Sequence, residues 1–216
     1  MNGLLLLLLD SRSPAGGHNH SGGMEPAITC GMVRNLADVE AFCRGRLRTS
    51  GRVAAAFAAA ACELWPGEPG EWAELDAELD ARTPSEAVRA ASRQLGNGLR
   101  RLLRATAPSA DLVARWAGLP PPAPHHPLVL GAGVALAGGS PDLAARAAAL
   151  GTVSVPASAA VRLLGLDPFA VHAMLARLAP EVDACAAIRG LPADSAPALE
   201  LLADFHLTTE VRLFAS

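Results

Sequence analysis

The stretch Leu36 to Leu64, LADVEAFCRGRLRTSGRVAAAFAAAACEL, decides the fold. Its apolar positions Leu36, Val39, Phe42, Cys43, Leu47, Val53, Phe57 and Cys62 recur at helical period. From Val53 to Cys62 every residue between them is alanine, the strongest helix former. The segment therefore predicts a long, central helix that neighbours approach closely, with Ser50-Gly51 as a place where it can bend. Elsewhere the apolar half of the chain is again mainly Ala and Leu, with 4% aromatics and no Tyr, which suits packed helices and not sheets. We expect an all-α fold, a single-domain helical bundle of about eight to ten helices over residues 1–216.

Outward from that segment the chain alternates helical patterns with breakers. Residues 3 to 9 predict a short buried helix. Asp10 to Gly23 holds one Pro, three Ser and four Gly, a density of turn formers that stops any helix and predicts an ordered Gly-rich loop over 10–23. Ser21 is placed to cap a second helix beginning near Gly22, with Glu25 against its N-terminal dipole. After Pro66, Gly67, Pro69 and Gly70, an acidic helix carries Trp72, Leu75 and Leu79 on one face. Asp76, Glu78 and Asp80 then form a solvated acidic face, and Arg100, Arg101 and Arg104 a solvated basic one. Thr83-Pro84-Ser85-Glu86 opens a helix that runs to about Ala107. Residues 108–127, with the run Pro120-Pro121-Pro122, predict an extended connector. Leu128 to Ala137 and Leu143 to Leu166 are apolar nearly all round and predict the most buried helices, the second broken in direction at Val155-Pro156. Phe169 to Arg189 and Ala196 to Phe205 complete the helices, and 207–216 is a tail.

The chemistry open to this composition is narrow. All eighteen basic residues are Arg, so there is no P-loop lysine, Schiff base or lysine general base. A net charge of -3 with dispersed Arg attracts neither nucleic acid nor an anionic membrane. Cys30, Cys43, Cys62 and Cys185 fit neither a zinc pattern nor a redox pair, and are expected as buried free thiols. The Leu4 to Leu9 run lacks the basic start and cleavage site of a signal peptide. With no apolar stretch expected to reach the roughly 20 residues of a membrane span, we expect a soluble cytoplasmic protein.

A few residues stand outside the core pattern. His18 and His20 could supply two imidazole ligands to a transition metal, with Cys30 the nearest soft ligand. A metal-carrying chaperone is the function that pair would serve, and structural or interface histidines are the alternative. Ser21-Gly22-Gly23 could cradle an anion or simply allow a tight turn between helices. A hydrolase built on Ser21 lacks a nucleophile elbow. Arg212-Leu213-Phe214 closes the chain with a forked cation and two apolar anchors, the residue types of interfaces.

The loop Asp10-Ser11-Arg12-Ser13-Pro14-Ala15-Gly16-Gly17-His18-Asn19-His20-Ser21-Gly22-Gly23-Met24-Glu25 resembles the D-S-x-x-P-x-G-x-x-x-H-S-G-G-[LM]-E signature of the UreF family of urease accessory proteins. The resemblance continues through Leu36 and Phe42, Ser92-Arg93-Gln94-Leu95-Gly96 and Leu99, Ala160-Val161-Arg162-Leu163, and Arg212-Leu213-Phe214-x-Ser216. Phe205-His206-Leu207 stands where the family carries Arg-His-Glu. The resemblance implies an all-helical, non-enzymatic homodimer without a cofactor. It would bind UreD (also called UreH) and recruit the GTPase UreG for delivery of nickel to apo-urease (UreA, UreB, UreC). It also implies partner-binding roles for His18, His20, Ser21, Gly22, Gly23, Glu25, Arg212, Leu213 and Phe214.

Overall fold

A computed structural model of the chain describes residues 3–10, 20–106, 116 and 124–207. These residues are helical and contain no strand, as the composition requires. In chain order the helices are α1 (Gly3–Leu9), α2 (Met24–Thr29), α3 (Leu36–Arg46), α4 (Arg52–Leu64), α5 (Pro69–Ala81), α6 (Glu86–Thr106), α7 (His126–Leu136), α8 (Pro141–Leu164), α9 (Pro168–Ala186) and α10 (Pro197–Leu207). The bend expected at Ser50-Gly51 takes the form of a π-helical turn, Leu47–Gly51, which joins α3 to α4 without interrupting the rod.

Local chemistry sets the helix ends. Asn35 accepts a hydrogen bond from the Asp38 amide at 3.1 Å, while the Asp38 carboxylate accepts from the Arg34 amide at 2.9 Å. Glu71 accepts from the Glu68 amide at 2.7 Å to start α5. Ser140 and Asp167 cap α8 and α9, and Gly165 ends α8 in the left-handed region at φ 64°.

Helix α4 is the hub, packed against α7 on one side and α8 on another. The α4–α7 contact is set by glycine: a Cβ on Gly131 would lie 2.2 Å from the Ala58 carbonyl oxygen, so only a residue without one permits this approach. One apolar cluster joins α1, α4, α5, α6 and α7 around Phe57, Trp72, Leu103 and Leu128. A second joins α2, α3, α8 and α9 around Met24, Val39, Met174 and Leu178. Trp72 sits edge-on to both Trp65 and Trp116, with centroids 6.3 and 5.8 Å away.

Several expectations change. Helix α1 buries Leu5 and Leu8 but leaves Leu6 and Leu7 exposed, because a short helix resting on the bundle covers only one face. Helix α8, at 24 residues, is long and apolar enough to cross a membrane by length and composition, contrary to the count made on uninterrupted apolar runs. It is instead sheathed on several sides by α2, α3, α4, α7 and α9. His126 and Pro127, assigned to the connector, open α7, with Pro in the first turn where no amide partner is lost. Cys43, Cys62 and Cys185 are buried free thiols, but Cys30 is exposed in the turn after α2. The rest of the connector except Trp116, Pro124 and His125, most of the Gly-rich loop, and the tail beyond Leu207 lie outside the described residues.

Candidate functional site

The signature loop enters the bundle through a tight turn at residues 20–25. The Ser21 carbonyl accepts the Met24 amide at 3.1 Å, and Gly22 and Gly23 hold φ of 59° and 83°, a pair that side-chain-bearing residues rarely adopt. Close contact compounds the demand at Gly22, where an added Cβ would come 3.2 Å from the Pro156 ring of α8. Gly23 is the backbone N-cap of α2, so the expected Ser21 cap is not made. The Ser21 hydroxyl is instead fully buried and has no partner among the described residues. His20 and Glu25 are each 7% exposed, and Met24 is completely covered. The turn is therefore packed into the body, and its glycines serve close approach.

Beside it lies a buried polar cluster whose members were expected at the surface. Trp72, Asp76 and Leu79 share one face of α5, so Asp76 occupies a core position and is 1% exposed. Arg93 of α6 forks between the two carboxylates, its Nη2 reaching Asp76 Oδ2 and Asp80 Oδ1 at 2.8 Å each. Asp76 also accepts the His125 amide at 3.1 Å, and the His125 ring Nε2 meets Asp80 at 2.7 Å. Burial opposes the charge on Arg93, but the hydrogen bonds it donates to Asp76 and Asp80, with their negative charge, outweigh burial and raise the guanidinium above its usual value. Desolvation also works against Asp80, yet hydrogen bonds from His125 and Arg93 hold its carboxyl below the usual range. Burial pushes His125 down and keeps it neutral, against the pull of Asp80.

This cluster aims the start of α7. Ser92 accepts the His126 amide at 3.2 Å, and Gly96 leaves room for the stretch of backbone above it, since a Cβ there would fall 2.1 Å from the Pro124 carbonyl oxygen. The segment Ser92-Arg93-Gln94-Leu95-Gly96 thus acts as one seat for residues 124–126. His126, so placed, is pushed down to about 4 by burial and then by the neighbouring His20. The seat and the turn meet at these two imidazoles.

The family model described as UreF matches residues 33–179. Three curated relatives, each described as a urease accessory protein UreF, align along nearly their whole length. The protein of Mycolicibacterium vanbaalenii is 48% identical over 98% of this chain and 97% of its own. That of Mycobacterium sp. strain JLS is 46% identical over 98% and 97%. That of Mycobacterium marinum is 45% identical over 99% and 98%. The chain belongs to the UreF family of urease accessory proteins.

In this UreF-family chain the structure gathers His20, Ser21, Gly22, Gly23 and Glu25 into one buried turn. His18, Arg212, Leu213 and Phe214 lie outside the described residues. Among the described residues no three of His, Cys, Asp and Glu come together as a metal site, and Cys30 sits exposed at the far end of α2. Asp76, Arg93 and His125 are paired with one another in the interior, with the partly exposed Asp80 at the edge of the cluster. Reading the sequence by charge runs missed Asp76, Arg93 and His125. The available signal was positional: Asp76 falls four after Trp72 and three before Leu79, the spacing of a helix's buried face.

Proposed function

We propose that this chain is a non-catalytic adaptor of urease maturation, acting in the cytoplasm as a homodimer. It binds UreD (also called UreH) and recruits the GTPase UreG, so that GTP hydrolysis is coupled to insertion of nickel into apo-urease made of UreA, UreB and UreC. Nickel is cargo of that assembly and not a resident cofactor of this chain. The observation that carries the reading is family membership along nearly the full length. Two features of the chain support it. The chain has no Lys and so no P-loop lysine, which agrees with nucleotide chemistry on the partner. Asp76, Arg93 and His125 are engaged with one another and with Asp80 in seating α7, a structural use that agrees with an adaptor.

Within this reading, His20, Ser21, Gly22, Gly23 and Glu25 hold the root of the Gly-rich loop, while His18 and the tail residues Arg212, Leu213 and Phe214 touch the partners. Urease activity in a host deleted for its own copy of this gene tests the proposal. The expected result is nickel-dependent activity restored by the wild-type chain and lost when the chain stops after His206. Equal activation by the truncated chain would remove the tail from the account, and activation in a host that also lacks UreG would remove the adaptor role.

A further inference from the structure

We propose that Arg46 and Pro156 form a lock, made across the α3–α8 contact, that holds the His20–Gly23 turn in the geometry from which the signature loop departs. Pro156 lies inside α8 and has no N–H, so the carbonyl four residues earlier, that of Thr152, loses its helical donor. Thr152 is half-buried and Pro156 is buried, so the Thr152 carbonyl is partly shielded from water and a replacement donor is favoured. Arg46 supplies it: its Nε donates to the Thr152 carbonyl at 2.9 Å. The next carbonyl, of Val153, takes the weak Cys43 Sγ donor at 3.7 Å.

Pro180 of α9 shows what happens without this need. The carbonyl it orphans belongs to Ala176, which is exposed, so solvent can reach it. The Arg46 arrangement is thus a response to burial and not a general feature of proline here.

The same two groups carry the turn. Gly22 rests on the Pro156 ring, its would-be Cβ 3.2 Å from Cδ, and Gly23 faces the Arg46 guanidinium, with the corresponding distance to Nη1 4.0 Å. Phe42, one helical turn before Arg46, closes the side of Gly23 at 3.7 Å. The π turn directly after Arg46 fits against the same point, since a Cβ on Gly51 would stand 3.1 Å from Thr152 Oγ1 and 2.9 Å from the Arg46 carbonyl. Among the described residues Arg46 has no carboxylate partner, and burial lowers its affinity for the proton, so its charge is not held there by an ion pair. Its contact with Thr152 is what fixes it. Arg46 is a positioning residue. Its service to partner capture rests on the adaptor reading, whereas the lock itself does not.

Hydrogen exchange of the full, isolated chain tests the lock without any partner. Arg46→Met keeps the stem and removes the donors. Amides in residues 21–31 are expected to exchange about tenfold faster or more, the factor that corresponds to loss of a charge-assisted hydrogen bond. In a Pro156→Ala background the backbone N–H regained at that position serves the Thr152 carbonyl, so the same Arg46→Met change should accelerate exchange less than about threefold. An equal acceleration in both backgrounds, or none in the single variant, would overturn the lock. Should Pro156→Ala prevent folding, Arg46→Lys decides: a retained donor recovers at least half of the lost protection on a logarithmic scale, and exchange as fast as in Arg46→Met overturns the lock. Loss of partner capture with exchange unchanged would count against the lock alone, and normal exchange with no capture by the wild type would count against the adaptor reading alone.

Discussion

Replacing Arg93 by methionine removes the cation from the centre of the buried cluster while keeping an apolar stem in the same space. The Arg93 side chain is 10% exposed and that of Asp76 only 2%, so the Asp76 carboxylate would stay in the interior with the His125 amide as its remaining donor. Removing one partner of a buried pair is worth about 3–5 kcal/mol, because the surviving charge keeps its desolvation penalty. The Asp80 side chain is 42% exposed, so water screens its half of the fork and it adds little. For a chain of this size each kcal/mol moves Tm by about 2–4 °C, which places the Arg93→Met transition roughly 6–20 °C below wild type. Asp76→Asn in the same background discharges the stranded carboxylate, so the double variant should recover about 1–3 kcal/mol over Arg93→Met. Urea unfolding followed by circular dichroism, with the slope compared among variants, measures all three. A loss below about 1 kcal/mol at unchanged slope, or strict additivity of the two substitutions, would refute the assignment of Asp76 and Arg93 as a buried pair.

Gly131→Ala should destabilise the chain by about 3 kcal/mol or more, since the added Cβ meets the Ala58 carbonyl at 2.2 Å and α4 and α7 must separate; urea unfolding reads it directly. Ser21→Ala should be neutral or stabilising by up to about 1 kcal/mol, because it removes a buried hydroxyl that no described residue satisfies. Below pH 6.5 the unfolded chain takes up a proton on residue 126 that the folded chain refuses until about 4, so stability is full above 6.5 and falls as pH drops through that window. The share of His126 is on the order of 3 kcal/mol, and His126→Gln should flatten the pH dependence of Tm between 4 and 6.5, leaving the slope contributed by His125, which burial lowers in the same direction.

Much of the helix order was legible because each boundary carries its own chemistry. Asn35 caps a helix that starts at the next residue, as expected, whereas the ends set by Ser140, Gly165 and Asp167 were expected at Leu143, Leu166 and Phe169, one or two residues away, from apolar pattern alone. The α4 stripe was readable because Ala-rich spacing has one helical solution. Tertiary placement was not. Asp76 was assigned to water by the company it keeps in sequence, Glu78 and Asp80, although helical geometry turns it toward Trp72 and the core. Cap chemistry at Ser21 was plausible until Gly22 and Gly23 took left-handed backbone and moved the cap to Gly23. The dependence of Thr152 on Arg46 spans 106 residues and leaves no local pattern. In the candidate site, the glycines were legible as close-approach residues, whereas what they approach, Pro156 and Arg46, became visible only in the fold.

The adaptor role is tested most directly by co-purification of the full chain with UreD and UreG of the same organism, comparing wild type, Arg212→Ala and a chain ending at His206. The account predicts a wild-type complex containing all three proteins, weakened by Arg212→Ala and lost on truncation. A folded wild-type body that captures neither UreD nor UreG would contradict it.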